Sequence, residues 1–199
     1  MLTVWLPFIG FAVVTLFTPG PNNMMLTASG LNFGFRRSIP HIAGVSLGFP
    51  VMVLLVGWGL AGLFTTSVLL HQVLKVLGVL YLLYLAYKIA TAPAKIDETD
   101  SRAKPMTFWQ AVAFQWVNPK GWVMAVSATT TYTTMNGDNF REVMIIGLVF
   151  CIFGIQSSTV WNLFGMFIRR WLTEAHHIRA FNIVMGLALV ASIAPLLAE

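Results

Sequence analysis

Two short strings concentrate the polar chemistry of this chain: Thr18-Pro19-Gly20-Pro21-Asn22-Asn23 and Gln115-Trp116-Val117-Asn118-Pro119-Lys120-Gly121. Each sets proline beside asparagine inside an otherwise apolar run. Pro19 and Pro21 have no N–H, so the carbonyls of Thr15 and Phe17 lose their usual helical partners, and Gly20 leaves backbone uncovered. A helix that restarts at such a point presents bare N–H groups and the positive end of its dipole, a receptor for an anion. Thr18 reads as its N-cap with Pro19 at the first helical position, and Asn22 and Asn23 add amide donors and acceptors. The freed carbonyls on the other side of the break accept from a cation. An α-amino acid needs both, donors for its carboxylate and acceptors for its ammonium. Gln115, Asn118, Pro119 and Lys120 supply an opposing wall. Packing kinks satisfied by neighbouring helices give the same strings, so that reading stands beside the first.

Lys120 is the one strongly basic side chain inside an apolar run. Such a group costs at least ~2.5 kcal/mol at the centre of a membrane helix, which favours a functional role over a lysine that snorkels to the surface. His41 reads more simply as a satisfied interfacial histidine, and otherwise as a second proton-coupling candidate. The carboxylates inform by their places: Asp97, Glu98, Asp100, Asp138, Glu142, Glu174 and Glu199 all fall in turns, at run edges or at the end of the chain. Proton coupling would therefore rest on Lys120, His41 or the substrate. A metal site would need clustered carboxylate, His or Cys ligands, and none is expected. Gly44-Val45-Ser46-Leu47-Gly48 matches the G-x-S-x-G nucleophile pattern, but that elbow works on a strand–turn–helix. Within a helix, Gly44 and Gly48 read as a small-residue packing face. Gly30/Gly34 and Gly154/Ser158 share that spacing, while Gln156 and Asn162 read as interhelical hydrogen-bond partners.

Composition says which elements must hold these residues. Of 199 residues 57% are hydrophobic and 10% charged, with mean hydropathy +0.77. A soluble domain carries about 25% charged residues, so the chain is an integral membrane protein. Cys151 is the only cysteine, which excludes a disulfide framework and dithiol chemistry. The first basic residue is Arg36, so the leading apolar run reads as a retained span rather than a removable signal segment.

Six spans are expected: Val4–Leu31 with its break, Ile39–Phe64, Gln72–Ala90, Phe108–Thr134 with its break, Val143–Ile168 and Ala180–Leu197. The polar stretch Thr91–Pro105 divides the chain, and Arg169–Arg179 is a polar turn. Residues 1–199 thus form one transmembrane domain: repeat one 1–90, linker 91–105, repeat two 106–199. Three spans per half is odd, so the halves enter the membrane from opposite sides as inverted repeats. Proline-interrupted spans at matching places in two halves point to a transporter's midplane site. Arg36, Arg37, Lys88, Lys95, Arg102, Lys104, Arg169, Arg170 and Arg179 fall on one side of this plan, against Lys75 and Arg141 on the other. The basic side is cytoplasmic by the positive-inside rule, which puts both termini outside. That bias accounts for the net charge of +5, and no basic stripe with interleaved aromatics suggests nucleic acid. Trp5, Trp58, Trp109 and Trp171 fall near span ends, as interfacial aromatics do.

Thr18–Asn23, Gly34-Phe35-Arg36, Gly44–Gly48 and Gln115–Lys120, in that order, resemble the lysine exporter (LysE/RhtB-type) family of bacterial amino-acid exporters. The resemblance covers nearly the whole chain. It implies an inner-membrane protein that exports amino acids or close derivatives, driven by the proton gradient, with no chemistry done on the substrate and no cofactor. Asn22–Gly48 looks closest to the cysteine/O-acetylserine branch, while the homoserine, threonine, leucine and lysine branches share the motifs. The expected partners are the amino acid, a proton and membrane lipid, and the small-residue faces suit internal packing or a homo-oligomer equally. The competing class is a passive metabolite channel or a structural subunit of a membrane complex.

Overall fold

A computed structural model describes residues 2–60, 68–92, 104–133, 139–172 and 174–192. The described residues form helices α1 (Leu2–Phe17), α2 (Pro21–Leu55), α3 (Val68–Ala90), α4 (Phe108–Gln115), α5 (Pro119–Thr131), α6 (Asn139–Arg169) and α7 (Ala175–Ala191). A π-helical turn, Val56–Leu60, extends α2. There is no strand among the described residues.

The proline strings break helices where expected, with altered details. α1 hydrogen-bonds as far as Thr18, whose N–H donates to the Val14 carbonyl at 3.0 Å. The new helix starts at Pro21 with extended Gly20 as its N-cap, so Thr18 and Pro19 are not the cap and first residue of that helix. The second break falls between α4 and α5, with Asn118 as N-cap and Pro119 opening α5. The expected fourth span is therefore two pieces, and its last residue, Thr134, lies outside the described residues. So do Phe64, most of the linker (93–103) and the end of the expected sixth span (193–199). The Arg169–Arg179 stretch is less of a turn than expected, because α7 already begins at Ala175.

α2 is not one straight rod. Gly34 has φ 74 and ψ 175, a conformation open essentially to glycine alone. Ser29 Oγ and Ser38 Oγ lie 2.9 Å apart, and Leu26 packs in one cluster with Ile42 and Val45. Along a continuous helix Leu26 and Val45 would be about 28 Å apart. The two arms, 21–33 and 35–55, therefore fold back on each other as a hairpin. The expected turn around Arg36 and Arg37 is real, but it is confined to a single residue. Gly34 has open space beside it and packs against nothing, contrary to its expected pairing with Gly30.

α6 organises the rest. Going up it, Phe150 meets Phe8, Ser157 donates to the Leu16 carbonyl, Asn162 to that of Leu26, and Arg169 to that of Leu31. The broken helix α1–first arm thus runs parallel to α6. The second arm runs antiparallel to it: Gly57 lies on Val143, Leu54 on Gly147, Phe49 on Phe150, and Ser46 Oγ reaches the Gly154 carbonyl. A Cβ at Gly30 would land on the Asn162 carbonyl and one at Gly165 on the Thr27 carbonyl, so these backbones touch. Gly44 and Gly48 face α4 at Phe108, Ala111 and Val112, a packing face as expected. Ser46 is spent within this packing and is no exposed nucleophile.

The polarity is inside out relative to a soluble domain. Asn23, Asn32, Gln115, Asn118, Asn162 and Asn182 are buried, whereas Leu6, Val14, Val123, Leu148 and Leu187 are exposed. By length and composition α6 can cross a bilayer, as can the stretch Pro21–Gly59, which Gly34 divides into two arms, and stretches of α1, α3 and α7 are shorter apolar helices. Trp109 and Trp171 are among the most exposed side chains. The chain is a membrane protein.

Candidate functional site

The two breaks meet. Lys120, one residue into α5, donates from Nζ to the Thr18 carbonyl at 2.8 Å, to Thr18 Oγ1 at 2.9 Å and to the Pro19 carbonyl at 3.3 Å. An ammonium has three donors, and all three are used here. The acceptors are not the ones the proline arithmetic indicated. Thr15's carbonyl takes a bond from Thr18 Oγ1 at 2.9 Å, because α1 winds on to Thr18 before it ends. Asn23 Nδ2 closes the same turn by donating to the Leu16 and Thr18 carbonyls, both at 2.8 Å. Gly20 is extended, which any residue allows; its lack of a side chain matters because a Cβ would stand 2.7 Å from Lys120 Cδ.

A second bridge joins the breaks. Asn22 Nδ2 donates to Gln115 Oε1 at 2.9 Å, and Gln115 Nε2 returns a bond to Asn22 Oδ1 at 3.2 Å. Gln115 also donates to the Ala111 carbonyl, which fixes its amide in place. Trp122 Nε1 donates to the Trp116 carbonyl at 2.9 Å and holds the shape of the second break.

Beside these contacts lies a cavity of about 40 Å³, walled by Gly20, Asn22 and Asn23 of the first break and Asn118 and Lys120 of the second. The second arm adds Ser46 and Phe49, and α6 adds Ser157 and Ser158. A water needs roughly 10–15 Å³ on this measure, so the space admits a few waters and no whole amino acid unless a side chain withdraws. Asn118 Oδ1 is buried without a partner among the described residues, a vacant acceptor on a residue of the cavity wall. Pro19 and Pro21 set the backbone around this space.

Ser157 was not anticipated, Ser158 was expected only in a packing face with Gly154, and the buried pair Asn32–Asn182, whose amides exchange bonds at 2.8 and 3.0 Å, was not foreseen. A small hydroxyl in an apolar run carries no signal of which way it faces. Asn162 is the interhelical partner expected, but Gln156 is exposed. His41 is not the satisfied interfacial histidine expected. It is buried at 2% exposure, and neither ring nitrogen has a partner among the described residues. It lies away from the breaks, lining a separate cavity of about 320 Å³. Glu174, His176 and His177 form an exposed trio at the start of α7, with an ion pair of 3.0 Å between Glu174 and His176; none of them lines either cavity.

Residues 13–198 match the family model described as LysE type translocator. The cysteine/O-acetylserine efflux proteins of Escherichia coli (strain K12) and Shigella flexneri serotype 5b are each 34% identical over 183 residues, covering 90% of both chains. That of Salmonella typhimurium is 33% identical over 180 residues, again with 90% of both covered. No solved structure matches the chain.

Proposed function

This chain belongs to the LysE type translocator family and is an amino-acid exporter rather than an enzyme; from that premise we propose how it carries its substrate and which substrate that is. The reading is a secondary transporter of six spans in two inverted repeats, residues 1–90 and 106–199, that moves a small zwitterion of the cysteine/O-acetylserine kind. It sits in the bacterial inner membrane, basic end toward the cytoplasm and both termini outside. The opposite directions of the two broken helices support the repeat: one runs parallel to α6 toward Arg169, while α4 follows Lys104 and α5 ends at Tyr132 beside Phe8. The second arm and α6, antiparallel at the centre, are the corresponding unbroken helices.

The observation that carries the mechanism is the position of the Lys120 ammonium on the Thr18 and Pro19 carbonyls. Those are acceptors that a substrate ammonium would use, so protonated Lys120 and the substrate exclude each other. Such exclusion is the logic of antiport. Substrate loads as Lys120 loses its proton and withdraws, which also opens the small cavity; on the outer side reprotonation returns Lys120 to its acceptors and expels the substrate. The substrate carboxylate faces Asn22, Asn23 and the N-terminal backbone of α2, and its ammonium faces the Thr18–Pro19 carbonyls and Asn118 Oδ1. Alternating access comes from one repeat rocking against the other across the glycine contacts of Gly30 and Gly165.

Uptake of O-acetyl-L-serine into inverted vesicles tests this. Wild type should show saturable, countertransport-stimulated transport, and Asn22→Ala and Asn118→Ala should each lose it with membrane protein levels unchanged. Interhelical polar contacts in membrane proteins average about 0.6 kcal/mol, so neither change should unfold the bundle. Full transport in both variants would refute the assignment.

A further inference from the structure

The 320 Å³ cavity is eight times the size of the central one and lies toward the basic end. Its walls are the first arm (Ala28, Asn32), His41 of the second arm, Tyr84 and Lys88 of α3, and Lys104 and Gln110 at the approach to α4. The volume falls in the range of small-molecule sites. Lys88 and Lys104 are exposed at its rim, and no carboxylate is among its described lining residues. Lys88 Nζ stands 5.7 Å over the Tyr84 ring, a contact that itself supplies no countercharge.

The inner wall poses the opposite demand. A neutral imidazole has one donor and one acceptor, and both nitrogens of His41 are buried and unpartnered. Burying such groups without partners is unfavourable. Several of the other polar groups nearby are already committed: Asn32 to Asn182 and the Ala28 carbonyl, Ser29 to Ser38, Gln110 to the cap of α4. A lipid tail in this space would leave His41 unmet. A small molecule with a carboxylate for the lysines and a polar end for His41 would meet both demands.

We propose that this cavity is a loading site, distinct from the central one, that takes a zwitterionic amino acid by its carboxylate before it reaches the breaks. The proposal rests on the exporter reading above. The two arms of α2 line both cavities, and Asn22, a wall residue of the central one that bridges to Gln115, is about 9 Å of helix from Ala28 of the other. Opening that bridge joins the loading site to the central one.

The test uses full-length Cys151→Ser protein carrying Ala92→Cys at the cavity wall, in nanodiscs of phosphatidylcholine. The readout is the rate of labelling by a charged thiol reagent, with O-acetyl-L-serine as the probe. At about ten times its dissociation constant the amino acid should slow labelling roughly tenfold. Protection should persist with Asn22→Ala and disappear with Lys88→Gln/Lys104→Gln or with His41→Leu. No protection in the parent protein would overturn the proposal, as would protection lost with Asn22→Ala. Equal protection by phosphatidylglycerol without amino acid would assign the cavity to lipid and overturn it too. Normal efflux in Asn22→Ala would instead sink the central-site reading and leave this result standing.

Discussion

Lys120 shows how far a single residue can be read. Its type and its place in an apolar run mark it as costly and so as functional. Its partners follow only from the fold, because they belong to a helix break one hundred residues away in sequence, where α1 winds further than proline alone predicts. If the proton on Lys120 competes with the substrate ammonium, Lys120→Gln should separate coupling from carriage. Exchange of labelled for unlabelled amino acid should survive in that variant, whereas uphill efflux driven by a pH gradient should disappear. Both are measured in the same proteoliposomes, and gradient-driven uphill transport at the wild-type rate would remove Lys120 from the mechanism.

At the scale of elements, glycine acts in two physically different ways. Gly34 is needed for its dihedral angles: a side chain there is strained by about 1–3 kcal/mol, with open space around it. Gly30 and Gly165 are needed for contact, since a Cβ at either would meet backbone of the facing helix, and overpacking costs typically 1–3 kcal/mol. Gly34→Ala, Gly30→Ala and Gly165→Ala should each lower the melting temperature in detergent by several degrees. Gly10→Ala, with nothing within 4 Å of its added carbon, should not. Fluorescence thermal shift compares them directly. Spacing pairs Gly30 with Gly34 and does not single out Gly165; only the hairpin at Gly34 and the touch of the first arm on α6 assign their separate roles.

For the whole molecule, the structure gathers, among the described residues, several of the cations that the span plan put on one side. Arg169 reaches the Leu31 and Asn32 carbonyls just before the Arg36–Arg37 turn, and Lys88 and Lys104 share a cavity with Asn32. The opposite end is aromatic: Phe8 packs on Tyr132, and Trp58 stacks on Phe140 at 5.1 Å. A basic end and an aromatic end fit a bundle held between a cytoplasmic and an outer interface. Alkaline phosphatase fused at either terminus should therefore be active in intact cells, and the same reporter inserted after Arg37 should be inactive. Activity of that insertion would invert the orientation.

By itself the sequence determined the environment, the helical class and the places where helices break, since these depend on local composition and on proline's missing N–H. It also carried the family in motifs laid out along the chain. Tertiary structure alone decided what faces what: that the two breaks meet, that Lys120 reaches the Thr18 and Pro19 carbonyls, and that His41 lines a second cavity. Those facts depend on the fold-back at Gly34 and on the close approach of bare backbones, and local periodicity does not encode distances between segments one hundred residues apart.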